Sequence, residues 1–206
     1  EVVERDVNST VKSAGANDLL ADLACLVVEK NGELFVISHF WMPAEKLQEA
    51  IARDGIPYDE MLAAGTLSLS GDNFINTDDV YEWLITAVRE FEVLPLVVGY
   101  DRYCALPLIN KLKQSSFKCD DVFQGTNLSP VIYEFEGLMK DGKVHIGDNR
   151  LLKIHLLDSA LEADTRVNKV KLRKLNVSDR CHIDGVAALL DALCVRQKYY
   201  EEYGAR

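Results

Sequence analysis

The alternation of apolar and polar residues predicts a hairpin of two antiparallel strands early in the chain. Residues 24–28 and 34–38 are rich in β-branched and large apolar residues, and Asn31-Gly32 lies between the two runs. An Asn-Gly pair in this position is the strongest short-range hairpin signal, because both residues tolerate the positive φ of a type I′ turn. The polar stretch up to Ser13 has no clear period, and we interpret it as an arm or an edge strand.

Further along the chain, helical spacing of apolar residues alternates with short apolar runs. The helical pattern covers residues 43–52, 57–64, 76–91, 104–113, 129–139, 151–161 and 183–199. Strands are predicted at 66–70, 94–99 and 143–146, and a further strand and loop at 122–125. Since no linker or internal repeat interrupts this pattern, we expect residues 1–206 to form a single domain of mixed α/β class.

Composition places the chain among globular proteins. It has 206 residues, of which 48% are hydrophobic and 27% charged. No apolar run approaches the roughly 20 residues that span a bilayer, and the polar start of the sequence does not resemble a signal peptide. The five cysteines form no Cys-x-x-Cys pair, which favours reduced thiols. We therefore expect a cytosolic protein without a membrane partner.

The charge distribution limits how this chain could contact nucleic acid. The net charge of -10 argues against a protein that coats nucleic acid nonspecifically. One stretch differs from this average, because residues 166–180 contain six basic residues and one acid, Asp179. Four of the six basic residues are candidates for contacting a DNA backbone: Lys169, Lys171, Arg173 and Lys174. The alternative interpretation is a solvated hairpin at the surface.

Several familiar catalytic motifs are absent or out of context. Residues 137–143 match the Gly-x-x-x-x-Gly-Lys spacing of a phosphate-binding loop, but Val144 replaces the Ser or Thr that would ligate magnesium. This segment also runs from a predicted helix into a predicted strand, which is the reverse of the required order. The four histidines lack zinc-protease spacing, and no Gly-x-Ser-x-Gly elbow is present.

Acidic residues are the more informative candidates. Asp101 ends an apolar strand, where an unpaired carboxylate would be costly. Asp184 opens an apolar helix, either as a functional group or as a helix cap, and Asp191 follows seven residues later on about the same face. Asp18 and Asp22 flank the start of the first strand of the hairpin. Carboxylates from separate elements are the ligands that Mg²⁺ or Mn²⁺ prefers, and two such ions can promote phosphodiester cleavage.

An ordered set of short motifs between about Asp18 and Cys194 resembles the C-terminal nuclease domain of the terminase large subunit of tailed, HK97-like bacteriophages. These motifs are His39-Phe40-Trp41-Met42-Pro43, Asp54-Gly55-Ile56-Pro57-Tyr58-Asp59-Glu60, Gly99-Tyr100-Asp101-Arg102-Tyr103, Phe123-Gln124-Gly125 with Ser129-Pro130, Gly147-Asp148-Asn149 before Leu151-Leu152, and Ile183-Asp184-Gly185-Val186-Ala187-Ala188-Leu189. No single motif is decisive, but their order and approximate spacing are specific.

The resemblance implies an RNase H-like fold with a mixed central sheet flanked by helices. It also implies a Mg²⁺- or Mn²⁺-dependent endonuclease, with two ions, that cuts concatemeric viral DNA. Asp101 resembles the second catalytic acid of the family and Asp184 the third. Asp191 is a supporting candidate, and His182 could assist as a proton donor or metal neighbour or be purely structural.

The first acid departs from the family pattern. The family usually shows Gly-x-Asp-Leu-Ser, followed six residues after that Asp by another Asp-Leu. Here Asp22-Leu23 matches the second pair, and the family spacing leads back to Ala16, whereas Asp18 lies nearer. Three explanations are open: Asp18 takes the role in a shorter loop, part of the segment is absent, or the first metal site is impaired. Both Asp18 and Asp22 therefore remain candidate ligands.

The resemblance also implies a biological setting. Complete terminases place an ATPase motor before the nuclease, and this sequence contains no true Walker motif. The implied partners are double-stranded DNA, the portal protein, the small terminase subunit and the ATPase domain, in the cytoplasm of an infected or lysogenic bacterium. Two alternatives are another RNase H-like nuclease, such as a resolvase or an RNA:DNA hybrid hydrolase, and a non-catalytic docking module of the packaging machine.

Overall fold

A computed structural model of the chain describes residues 6–13, 22–101, 106–178 and 180–203. The strands are β1 Asp6–Ser13, β2 Asp22–Lys30, β3 Glu33–Met42, β4 Leu67–Leu69, β5 Pro95–Asp101, β6 Cys119–Val122, β7 Val144–His145, β8 Ser159–Asp164 and β9 Lys169–Lys174. The helices are α1 Leu47–Asp54, α2 Tyr58–Ala63, α3 Thr77–Glu90, α4 Leu106–Gln114, α5 Ser129–Lys140, α6 Arg150–Leu157 and α7 Asp184–Tyr203.

One mixed sheet forms the centre of the fold, with strand order β4-β3-β2-β1-β5-β6. β1, β2 and β3 form an antiparallel meander, whereas β5 pairs parallel with both β1 and β6. The short strand β7 pairs with the beginning of β3. β8 and β9 form a separate antiparallel hairpin, which we call the basic hairpin.

Helices cover both faces of the sheet and create two apolar cores. Side chains alternate between the faces along each strand, so that Phe40 belongs to one core and Trp41 to the other. The larger core joins the sheet to α1, α2, α5, α6 and α7, while the smaller core joins it to α3 and α4. No helix among the described residues is both long and apolar enough to cross a membrane.

Most elements agree with the sequence patterns. The Asn-Gly turn joins β2 and β3, with φ of 56° at Asn31 and 75° at Gly32. The predicted start of α3 is also confirmed, since the Asn76 side chain accepts a hydrogen bond from the Asp78 N–H. The phosphate-loop match at 137–143 lies between the end of α5 and β7, as expected for a helix-to-strand turn.

Two interpretations of the sequence are wrong. β1 is an interior strand, because it pairs with β2 on one side and β5 on the other. Its polar composition gave no sign of this position, which the two neighbouring backbones impose. The predicted helix over 151–161 ends at Leu157, and Ser159–Asp164 forms strand β8 instead. Pairing with β9 overrides the weak helical pattern of these last residues.

Helix α7 lies directly against the sheet at Gly99. A methyl group at this position would lie 2.9 Å from the backbone oxygen of Asp191 and 3.1 Å from Cγ1 of Val195. Glycine therefore allows a helix and a strand to approach more closely than any other residue would permit. This contact fixes the height of α7 above β5, which carries Asp101 two residues further on.

We expect Gly99→Ala to lower the free energy of unfolding by about 1–3 kcal/mol, because the added methyl group must push α7 away from the sheet. Urea unfolding measures this change. Gly137→Ala in α5 is the matched control, since a methyl group there meets no atom within 4 Å. A glycine-to-alanine change at such a helical position stabilises by up to about 1 kcal/mol. Equal stability of the Gly99→Ala variant and the unchanged protein would contradict the close-contact argument.

Candidate metal centre

The neighbouring parallel strands β1, β5 and β6 end at the same side of the central sheet, which we call the carboxyl edge. Asp101 is the last residue of β5 and pairs with Val122, the last residue of β6. Asp22 is the first residue of β2 and pairs with Ser13, the last residue of β1. Because only β1 separates β2 from β5, the backbones of Asp22 and Asp101 are roughly 10 Å apart by strand spacing.

Helix α7 brings a further acid to this edge. Its second residue, Gly185, packs against Phe40 near the end of β3, and Asp191 lies over Gly99 of β5. Further along, the guanidinium of Arg196 donates hydrogen bonds of 2.8 Å to Glu29, at the opposite end of the sheet. The helix thus starts at the carboxyl edge and runs away from it. Asp184, its first residue, lies half-buried at that edge, as does Asp101.

Asp101 and Asp184 carry the kind of donor atoms that a hard divalent cation prefers. Asp101 and Asp184 supply carboxylate oxygens from a strand end and a helix start, which are independent elements of the fold. The described side chains do not contain a cluster of three or more acidic, histidine or cysteine residues that could hold a metal ion. Asp18 lies outside the described residues, and Asp22 is described through its place in β2. Asp101 and Asp184 therefore have carboxylates that suit part of a metal site, and their role as ligands stays a prediction.

Asp191 lies deeper in the protein than the other acids. It is fully buried, and its Oδ1 accepts a hydrogen bond of 2.5 Å from Nε2 of Gln124, just after β6. At 1.5 Å per residue, it is about 10 Å along the helix from Asp184. The contact ties α7 to the loop that follows β6. A supporting role for Asp191 stays a prediction, and this geometry favours support through packing and hydrogen bonding.

A buried polar network surrounds the start of α7. We call it the Asp54 network; its members are Arg53, Asp54, Tyr58, His155 and His182. The Asp54 carboxylate is fully buried and accepts hydrogen bonds from Arg53 Nε at 2.6 Å and from the Tyr58 hydroxyl at 2.7 Å. His182 Nε2 lies 3.0 Å from Asp54 Oδ2. The network joins α1, α2, α6 and the segment before α7.

Electrostatics in this network favour a charged Asp54. Burial by itself would raise the pKa of the Asp54 carboxyl group, but the hydrogen bonds that it accepts, led by the one from His182, outweigh burial and hold this pKa well below its ordinary value. Burial and the hydrogen bond to Asp54 both raise the pKa of the Tyr58 hydroxyl. The carboxylate and the neutral phenol are therefore the stable forms at neutral pH.

The basic hairpin lies beside this region. Its first strand follows Asp158, whose carboxylate accepts a hydrogen bond of 3.1 Å from the His182 N–H. Near the other end, the Val170 N–H donates a hydrogen bond of 3.1 Å to the hydroxyl of Ser129, at the start of α5. The hairpin thus extends from the start of α7 towards the loop after β6. Both ends of it are anchored near the carboxyl edge.

The charges on the hairpin are more balanced than the sequence suggested. Lys169, Lys171 and Arg173 share one face of β9, and Lys174 lies on the face of the inward-pointing Val170. Across the hairpin, Asp164 pairs with Lys169 and Glu162 with Lys171. The Lys171 ammonium lies 2.9 Å from the Glu162 carboxylate. DNA contact by these four cations stays a prediction, with Lys169 and Arg173 the more exposed pair.

Comparison with known families identifies the fold. The family model described as the terminase large subunit, endonuclease domain, matches residues 6–199. The chain belongs to this family. The prediction drawn from the ordered motifs is confirmed, and so is the RNase H-like mixed α/β fold class. No curated protein sequence gave a significant match.

Solved terminase structures share this architecture. The crystal structure of the HK97 bacteriophage large terminase superposes with a TM-score of 0.79 and 20% identity, over 95% of this chain and 40% of that chain. This chain thus spans less than half of that terminase. The large terminase nuclease of thermophilic phage G20c with bound magnesium has a TM-score of 0.52 and 11% identity, over 92% of this chain and 82% of its own. The Thermus phage P74-26 large terminase nuclease domain has a TM-score of 0.53 and 10% identity, over 95% of this chain and 80% of its own.

Some residues around the site of this terminase nuclease domain were missed by sequence reasoning. The sequence marks Asp54 and Tyr58 only as parts of a family motif, and no pattern marks Asp158. Asp54 and His182 are 128 positions apart in sequence, so no spacing rule connects them. The sequence gives one weak indication of a role for Asp54, since this acid ends a short helix immediately before Gly55. A charged side chain at such a position needs a polar partner if it faces inwards.

The lowered pKa of Asp54 predicts a pH-dependent contribution to stability. The pKa of an aspartate carboxyl group is about 3.9 in the unfolded chain. When folding lowers this pKa, the charged group stabilises the folded protein fully at pH values above about 3.9, and this stabilisation is lost as the pH falls through the folded-state pKa. We expect Asp54→Asn to lower the free energy of unfolding by about 3 kcal/mol at pH 7, because it leaves Arg53 without its ion-pair partner and weakens the hydrogen bonds around a buried carboxylate. The deficit should shrink as the pH falls from about 4 towards the folded pKa.

Urea unfolding at pH 7 and pH 3 measures both quantities. Asp59→Asn is the control, since Asp59 is exposed five residues further along the same motif, and its stability should match the unchanged protein at each pH. A deficit for Asp54→Asn that is equal at pH 7 and pH 3 would show that the Asp54 charge contributes nothing.

Proposed function

We propose that this chain is the metal-dependent DNA endonuclease domain of a phage DNA-packaging terminase, and that it cuts concatemeric viral DNA by two-metal phosphodiester hydrolysis. The proposal is supported by three backbone positions in an RNase H-like sheet and its helix: Asp101 ends β5, Asp22 begins β2 beside the end of β1, and Asp184 begins α7. Membership of the endonuclease-domain family supports the same activity.

Each candidate ligand would have a defined task. Asp101, from the end of β5, and Asp184, from the start of α7, would hold Mg²⁺ or Mn²⁺ between the sheet and the helix. Asp22 or Asp18 would complete the donor set. When bound, two such ions activate water for attack on phosphorus and stabilise the leaving 3′ oxygen. Magnesium bound to the G20c nuclease supports Mg²⁺ as the first ion to test.

Substrate binding must overcome the negative charge of the chain. With a net charge of -10, the surface repels DNA on average, and the carboxyl edge adds further acids. Cations held by the acids would reduce this repulsion locally. Lys169, Lys171, Arg173 and Lys174 on the neighbouring hairpin would hold the phosphate backbone, with little sequence readout, because phosphate contacts position DNA without specifying bases.

The domain would act as part of a larger machine. We propose that residues 1–206 are one RNase H-like domain that works with an ATPase motor, the portal protein and the small terminase subunit. Packaging of viral DNA would place this activity in the cytoplasm of the bacterial host. This chain matches 40% of the HK97 large terminase, which supports the assignment to one part of such a machine.

We expect the protein to nick and linearise supercoiled plasmid with Mg²⁺ or Mn²⁺ and to leave it intact with EDTA. Asp101→Asn and Asp184→Asn should each reduce the cleavage rate by more than about 100-fold, since loss of even an outer partner of a metal ligand costs 10- to 100-fold. Gel electrophoresis of a time course measures both effects, and Asp22→Asn tests the first acid in the same assay.

Asp141→Asn is the matched control, because Asp141 is exposed and lies just before β7, which pairs with the opposite end of β3. Its rate should equal that of the unchanged protein. Metal-dependent cleavage that survives both the Asp101 and the Asp184 substitutions would overturn the assignment of the site.

A further inference from the structure

We propose that the Asp54 network sets the position of Asp184, and that Asp54 and Tyr58 are positioning residues for the binding of a divalent ion. This inference rests on the proposed function, since Asp184 is one of its candidate metal ligands. The juxtaposition that carries it is a fully buried, hydrogen-bonded carboxylate at the end of α1 that holds the segment leading into Asp184.

Contacts to this network lie on both sides of Asp184. Two residues before it, His182 is held through its ring, 3.0 Å from the Asp54 carboxylate, and through its N–H, 3.1 Å from Asp158. One residue after it, the Gly185 N–H donates a hydrogen bond of 2.9 Å to Nδ1 of the buried His155. The backbone that carries Asp184 is therefore fixed before and after the residue.

The two anchoring histidines also support each other. Their rings stack with centroids 5.9 Å apart. The Phe40 ring packs edge-to-face on the His155 ring, with 5.1 Å between the two centroids. Space at Gly185 is tight, because a methyl group there would lie 3.0 Å from His155 Nδ1 and 3.1 Å from the Phe40 ring. The first turn of α7 is thus closely packed against His155 and Phe40, although it lies at the carboxyl edge.

Stability alone gives a weak reason for such a network. A buried charge is costly to desolvate, and well-packed apolar residues often serve a fold equally well or better. A fixed carboxylate at a metal site is a better reason, because ligands must be held within about 0.5 Å of their working positions. Asp54 receives hydrogen bonds from α1, α2 and His182, so it couples the start of α7 to two other helices.

Tyr58 extends this coupling. Its side chain is buried, and its hydroxyl donates a hydrogen bond of 2.7 Å to Asp54 Oδ2, the same oxygen that lies 3.0 Å from His182 Nε2. Loss of this hydroxyl would leave the ring in place but remove one of the groups that orient the carboxylate. Tyr58→Phe is therefore a milder change than Asp54→Asn at the same point of the network.

Direct titration with Mn²⁺, followed by the electron paramagnetic resonance of the free ion, tests the inference without relying on cleavage. We expect Asp54→Asn to raise the dissociation constant for Mn²⁺ by about 10- to 100-fold, and Tyr58→Phe to raise it by a smaller factor, as for other outer partners of metal ligands. Asp184→Asn should remove the same binding event. Asp59→Asn, an exposed acid beside Tyr58, should leave it unchanged.

A purely structural role would give a different result. It would lower the folded fraction, and with it the number of ions bound, without changing the dissociation constant of the molecules that remain folded. Cleavage adds a second distinction, because a positioning defect raises the Mn²⁺ concentration at half-maximal rate while saturating Mn²⁺ restores much of the rate. If Asp54→Asn fails to fold, Tyr58→Phe decides the question alone.

The outcomes separate this inference from the proposed function. Unchanged Mn²⁺ affinity in Asp54→Asn and Tyr58→Phe, with binding lost in Asp184→Asn, would overturn the positioning role and leave the proposed function standing. If Mn²⁺ binding persists in Asp184→Asn, or if the unchanged protein does not bind Mn²⁺, the metal assignment and this inference are overturned together.

Discussion

The contact between α7 and the sheet is the constraint on which the rest of the site depends. Gly99 lets the helix backbone at Asp191 lie against β5, and Arg196 ties the far half of the helix to Glu29 in β2. With the helix held at these two points, its first turn must lie at the edge where the parallel strands end. Asp101 lies at the end of β5 and Asp184 at the start of α7, although 83 positions separate the two residues in sequence.

Polar interactions complete what this packing begins. The apolar core packs α7 against the sheet, and hydrogen bonds of the Asp54 network hold the backbone on both sides of Asp184. The Asp191 hydrogen bond to Gln124 fixes the same helix to the loop after β6. In this terminase nuclease domain, apolar packing holds the helices on the sheet. The buried carboxylates of Asp54 and Asp191 add hydrogen bonds that hold α7 and the segment before it.

Local patterns predicted the elements well and the interactions between them poorly. The Asn-Gly turn, the cap at Asn76 and the long apolar helix of α7 are decided within a few residues, and each agrees with the structure. The interior position of β1 and the strand β8 depend on partners distant in sequence, so their own composition was misleading. The Asp54 network depends on contacts between α1 and the segment before α7, which no spacing rule reveals. The family motifs, by contrast, predicted the family and the fold correctly because their order along the chain reflects the whole fold, and the ligand roles of Asp101 and Asp184 stay a prediction.

In the proposed function, Asp101 and Asp184 together hold a divalent ion at the carboxyl edge. Anomalous diffraction from a crystal of this chain soaked in Mn²⁺ tests it most directly, because the signal locates the ion without assumptions about activity. We predict an anomalous peak in direct bonding contact with carboxylate oxygens of both residues. Mn²⁺ bound at full occupancy elsewhere, with neither carboxylate in contact with an ion, would contradict the account.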